Sequence, residues 1–261
     1  MPCEYVVKLR YLLALFSLLL VQSCQHNDET KNESTGKINK LSDAASYNTQ
    51  LGLAYLEQGD RSRAKRKLFL ALSQAPDSPN VNASMAYFME KSGEMEEARA
   101  YYKKAMATAP GAGAQLNNYG AFLCRQGQYT QAETYFIKAV KDHTYEHTAG
   151  AYENAGLCAM AIPDHIKAMD YFGKALEQDP SRAQSLYELV NLEVKQDHIN
   201  EALSYLQKYS NLSLRDPTLL ALAVDVAHKA GKIELEADFQ SRLLSFSDKT
   251  GGKDEYNSNS G

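Results

Sequence analysis

The chain lacks any apolar run long enough to span a membrane comfortably. Its one greasy stretch, Tyr11 to Val21, would rise roughly 16 Å as a helix, against roughly 30 Å of bilayer hydrocarbon. Catalytic signatures are missing too. There is no Gly-x-Ser-x-Gly elbow, no His-Glu-x-x-His helix and no nucleotide loop. Gly251-Gly252-Lys253 has neither P-loop spacing nor a following helix. These absences argue against an enzyme, and no cofactor or small-molecule substrate is expected. Charge excludes a further class. The 28 basic and 32 acidic residues give −4, and losing Lys8, Arg10 and Glu4 with a leader makes the chain one unit more negative. No compact basic run is read beyond the leader, so the footprint of a phosphate-binding surface is missing and nucleic acid is not an expected partner.

What is present begins with the leader. Lys8 and Arg10 precede the apolar run, and "VQSC", residues 21 to 24, ends it in a thiol followed at once by polar residues. A short basic region followed by a short apolar core suits a secretory signal. Val21-Gln22-Ser23-Cys24 resembles the bacterial lipoprotein signal, which makes residues 1–23 the signal peptide and Cys24 the lipidated N-terminus. The resemblance implies anchoring, since each buried acyl CH₂ contributes about 0.8 kcal/mol. Gln25, where aspartate would signal inner-membrane retention, favours the outer membrane. Residues 24–44 are polar, with Ile38 and Leu41 the large apolar exceptions. They read as a flexible tether that cannot bury enough surface to order itself.

The middle of the chain repeats. "LGLAYLEQGDRSRAKRKLFLALSQAP" at 51–76 shares its landmarks with segments at 85–110, 119–144 and 155–180. Ala64, Ala98 and Ala132 are 34 residues apart, Ala168 follows after 36, and Ala202 after 34. This is the period of tetratricopeptide (TPR) repeats. The phase gives units at 45–78, 79–112, 113–146, 149–182 and 183–216, with a weak sixth at 217–246 that caps the array. Each unit is an antiparallel helix pair, so the expected fold is an all-α TPR superhelix over 45–248, followed by a disordered tail at 249–261. Gly52, Gly120 and Gly156 sit where two helices pass closely. Leu68, Phe136 and Phe172 fill the space between. Gly59, Gly93, Gly127 and Gly231 mark the turns, and Pro163 takes that place in the fourth unit.

Few residues offer chemistry. His143 and His147, beside Asp142, could present metal ligands on one helical face. They stand at a repeat junction where polar residues are expected in any case, and no metal site is assigned. Cys124 and Cys158 occupy first helices of adjacent units, close enough in register for a disulfide. Two independent buried thiols are the alternative. The concave face of a TPR array is the usual binding surface. On it the register places Leu53, Leu56, Tyr87, Asn117, Glu153, Leu157 and Met160 as a candidate protein-binding groove. Its leucines and methionine suit an apolar peptide, although such residues can also pack against the next helix.

The lipoprotein-like signal together with "YNTQLGLAYLEQGDRSRAKRKLFLAL", "LNNYGAFLCRQGQYTQAETYFIKAV" and "AYENAGLCAM" resembles the PilF/PilW family. These are outer-membrane TPR lipoproteins, or pilotins, of type IV pilus biogenesis. The resemblance covers about residues 45 to 245 and is weakest in units five and six. It implies a lipid-anchored protein on the outer membrane, facing the periplasm. There it would bind the type IV pilus secretin and promote its localisation and multimerisation. The alternative is a TPR lipoprotein serving another envelope complex, as a protease adaptor or in outer-membrane protein assembly.

Overall fold

The computed structural model describes the backbone of residues 29–162 and 165–251, and side chains within 40–162 and 165–246. Residues 1–23, Cys24, the turn at Pro163 and the tail beyond Gly251 lie outside the described residues. Thirteen helices and no strand occur among the described ones. They are α1 (Glu29–Glu57), α2 (Arg61–Gln74), α3 (Pro79–Ser92), α4 (Met95–Thr108), α5 (Gly113–Arg125), α6 (Tyr129–Ala139) and α7 (Thr148–Ala159). Then follow α8 (His165–Gln178), α9 (Ala183–Lys195), α10 (Ile199–Lys208), α11 (Ser210–Ser213), α12 (Pro217–Lys229) and α13 (Ile233–Gly251). The chain divides into two compact units, residues 1–98 and 99–261, and the boundary falls inside α4.

Within each unit the packing follows the chain. In the first, α1 packs on α2 and α3, and α2 packs on α3. In the second, α5 meets α6 and α7, α7 meets α8 and α9, and α9 meets α10 and α12. A helix that touches both its successor and the next helix but one is the packing of stacked helix pairs.

Local chemistry starts and stops these helices where the repeat requires. Asp60 caps α2 by accepting the Arg63 amide at 2.8 Å. Asp216 caps α12 through the amides of Thr218 and Leu219, at 2.8 and 3.0 Å. Pro79 and Pro217 occupy first helical positions, where no amide is missed. Inside each pair the close approach is enforced sterically. A Cβ on Gly52 would lie 2.6 Å from Leu68 Cγ, and one on Gly156 would lie 2.7 Å from the Phe172 ring. The facing Ala64, Leu68, Ala168 and Phe172 are all buried. The turn slot at 59, 93, 127 and 231 holds glycine at positive φ, and in the fifth pair Asp197 takes the slot at φ 63°. Asp is among the few residues that tolerate this backbone region.

Three features differ from the sequence reading. Helix α1 begins at Glu29, so much of the expected tether is helical. The segment contains no proline, and extending a nucleated helix adds a hydrogen bond for each residue fixed. Residues 40–43 are nevertheless exposed, and burial starts at Ala45. At the other end α13 continues to Gly251, taking in the first three residues of the expected tail. Between α10 and α12 the chain inserts the short α11, where the buried Ser213 hydroxyl donates to the Leu206 carbonyl at 2.8 Å. No periodic signal announces a single helical turn.

Candidate functional site

In the unit of residues 1–98, the groove candidates reduce to an apolar strip. Leu53 and Leu56 stand three residues apart on one face of α1, both half-buried. Tyr87 is half-buried on α3, with the Lys91 ammonium 5.2 Å from its ring centroid. Three other positions of the same register are closed. Thr49 is buried and its hydroxyl donates to the Ala45 carbonyl at 2.7 Å, and Ala83 and Glu90 are buried as well.

The unit of residues 99–261 treats the equivalent positions differently. Asn117 on α5 accepts a hydrogen bond from Asn154 on α7 at 3.0 Å. Glu153 also turns to its neighbours. Its carboxylate receives the Arg182 guanidinium in a two-pronged ion pair and the buried Ser185 hydroxyl at 2.7 Å. The hydrogen bond to Glu153 is the main reason that the Arg182 guanidinium holds its proton above the ordinary value. Asn117 and Glu153 therefore sew successive first helices together. Glu153, a groove candidate from the register, is a partly buried carboxylate that already spends its charge within the fold. Leu157 remains 39% exposed on α7, and Met160, at the end of that helix, is half-buried.

Cys124 and Cys158 come together as a disulfide between α5 and α7, with Cα atoms 5.8 Å apart. Beside it lies a cavity of about 10 Å³ lined by Tyr129, Glu133, Cys158, Lys167 and Tyr171. That is room for no more than one water. The Tyr171 hydroxyl donates to Glu133 at 2.5 Å, and Lys167 donates to the same carboxylate. Burial, and then the Glu133 bond, push the Tyr171 hydroxyl far above its ordinary range. It stays protonated, so the trio is a structural clasp.

His143 and His147 do not share a helical face, because α6 ends at Ala139 and both residues lie in the connection before α7. Asp142 is used differently. It accepts the Gly113 amide at 2.7 Å, starting α5, and both the amide and the hydroxyl of Thr144. These bonds, the Gly113 amide first, hold its carboxyl below the usual range. No group of three or more His, Cys, Asp or Glu able to hold a metal occurs among the described residues. No described helix is long and apolar enough to cross a membrane.

Two surfaces escaped the sequence reading. The first is α2 itself, where Arg61, Arg63, Lys65, Arg66 and Lys67 form the compact basic run that the charge argument missed. Five cations in seven residues were hidden by an acidic total. The second is an open hollow of about 750 Å³ beside α10 and the start of α13, lined by Leu203, Gln207 and Ile233 among others. It forms where α10 meets the turn and second helix of the last pair, in the part of the array where the repeat landmarks are weakest.

The tetratricopeptide repeat model matches residues 49–113 and 123–183, and the chain carries TPR repeats in a TPR-like arrangement of helices. Among solved structures, PilF of Pseudomonas aeruginosa superposes with a TM-score of 0.64 at 25% identity, covering 85% of this chain and 100% of that chain. PilW, a widely conserved type IV pilus biogenesis factor, gives a TM-score of 0.61 at 24% identity, over 77% of this chain and 92% of its own. MamA follows at 0.50 and 18% identity, over 62% and 94%. The likenesses to PilW and MamA speak to the fold. No curated protein sequence matches the chain.

Proposed function

We propose that this protein is an outer-membrane-anchored TPR lipoprotein of type IV pilus biogenesis. It faces the periplasm, binds the secretin and promotes its localisation and multimerisation. The observation that carries the reading is the likeness to PilF, which extends over the whole of that chain at 25% identity. The lipoprotein-like motif ending at Cys24 supports the address, and the TPR fold supports a protein-binding role with no catalytic step. Acyl chains on Cys24 would hold the domain at the membrane. The apolar strip of Leu53, Leu56 and Tyr87 would grip a client segment, and tethering would raise the local concentration of that client.

Replacing Cys24 by Ala should abolish palmitate labelling and release the protein from outer-membrane fractions. Leu53→Ser combined with Leu56→Ser should reduce secretin multimers and surface pili while the thermal transition moves little. Burying a leucine contributes about 1.5–3 kcal/mol, so losing two weakens client binding by well over tenfold. Normal secretin multimers in a folded double variant would remove the strip from the mechanism. Normal multimers after deletion of the whole gene would remove the pilotin role.

A further inference from the structure

Helix α2 carries five cations and no acid in fourteen residues. At 100° per residue, Ala64, Leu68 and Ala71 share one face, and all three are buried. The opposite face presents Ser62, Arg66, Phe69, Leu70 and Ser73, flanked by Arg63 and Lys65. Phe69 is 42% exposed and Leu70 is 44% exposed. Two of the cations are engaged within the fold. Arg63 pairs with Asp60 at 2.5 Å and lies 4.5 Å from the Tyr55 ring centroid, and Lys67 donates to Asn48 at 3.3 Å. Arg61, Lys65 and Arg66 are exposed, with the Lys65 ammonium 5.7 Å from the Phe69 ring centroid. Arg66 thus stands between two exposed apolar side chains on the outer face of the helix.

A cationic helix alone would be a solvated face. Exposed Phe and Leu on the same face change the requirement, because a partner must satisfy charge and cover apolar surface together. An acidic peptide would pair the cations but leave Phe69 and Leu70 in water, since the outer side of a helix is convex and offers no cleft. A bilayer interface supplies both at once. Phosphates meet the Lys and Arg heads, and the acyl boundary takes the aromatic and aliphatic groups a few ångströms deeper. We propose that the outer face of α2 rests on an anionic lipid surface through Lys65 and Arg66, with Phe69 and Leu70 inserted between the headgroups. The contact requires neither acylation of Cys24 nor a pilus client.

The test uses the full chain and vesicles of phosphatidylcholine, alone or mixed with phosphatidylglycerol. The leader's apolar run and its Lys8 and Arg10 are common to every variant, so differences between variants report on α2. The unaltered protein should prefer the anionic vesicles, and added salt should erode that preference. Lys65→Gln with Arg66→Gln should lower it about thirtyfold and leave binding to neutral vesicles unchanged. Phe69→Ser with Leu70→Ser should weaken binding to both. Circular dichroism melts establish that the variants are folded. If the double charge variant melts early, Arg66→Gln alone should still cost about fivefold. An undiminished preference in a folded charge variant would overturn the proposal. So would Lys65- and Arg66-dependent binding to polyglutamate with no effect on vesicles, which would assign the face to an acidic protein segment.

Discussion

Helices α2 and α8 occupy the same place in the first and fourth repeats, and they agree inside while disagreeing outside. Ala64 corresponds to Ala168, and Leu68 to Phe172. Each pair lies against a glycine, Gly52 in one case and Gly156 in the other, that has no room for a Cβ. Outward, Arg66, Phe69 and Leu70 of α2 become Asp170, Gly173 and Lys174 in α8. There Lys174 closes on Asp170 at 2.6 Å, one turn away, so the surface satisfies itself. On α2 no acid is present to do so. The interior is fixed by the close approach of the two helices, which both repeats share. The exterior has no such constraint, and it is the outer faces that distinguish one repeat from the next.

The largest effect should come from emptying the shared interior. Phe172→Ala should cost about 3–5 kcal/mol and Leu68→Ala about 2–5 kcal/mol, read from denaturant midpoints. If either is near neutral, the two interiors are not equivalent and the comparison fails. The cross-link in the later repeats should come next. The disulfide closes a 34-residue separation, and for such a loop the chain-entropy estimate is about 3–4 kcal/mol. Cys124→Ala with Cys158→Ala should lower stability by up to that amount. Alkylation without reductant followed by mass spectrometry should find the 124–158 bridge in the unaltered protein, and two freely alkylated thiols would refute it. The smallest of the three is steric. Gly52→Ala and Gly156→Ala should each cost about 1–3 kcal/mol. Gly156→Ala should cost more, because the rigid Phe172 ring yields less readily than the leucine opposite Gly52. The reverse order would mean that the fourth repeat is the looser one.

Much of the fold was legible because the repeat is written in residues that act locally. Alanine and glycine at fixed spacing, a bulky partner opposite, and a turn residue at positive φ specify a helix pair without knowledge of its neighbours. The fifth turn was less legible because Asp197 performs the glycine's task, and α11 because one helical turn has no period to detect. The candidate groove was legible only in part. Leu53, Leu56 and Tyr87 are half-buried, which suits both an open groove and packing against the next helix. Glu153 holds a register position of the same kind and yet spends its charge on Arg182 and Ser185. The basic run of α2 was readable in the letters, and averaging charge over the whole chain concealed it.

The sequence by itself determined the number and phase of the helix pairs, their close-approach glycines and the buried ring or leucine that fills each gap. These follow from 3.6 residues per turn and a 34-residue repeat, both of which are properties of the chain. Only the tertiary structure decided which polar side chains meet across helices, and so which register positions remain open to a partner. Asn117 to Asn154, Glu153 to Arg182, and Asp142 to the Gly113 amide each join residues about thirty or more positions apart. Their pairing depends on the rotation between successive pairs, and no local pattern in the sequence encodes that rotation.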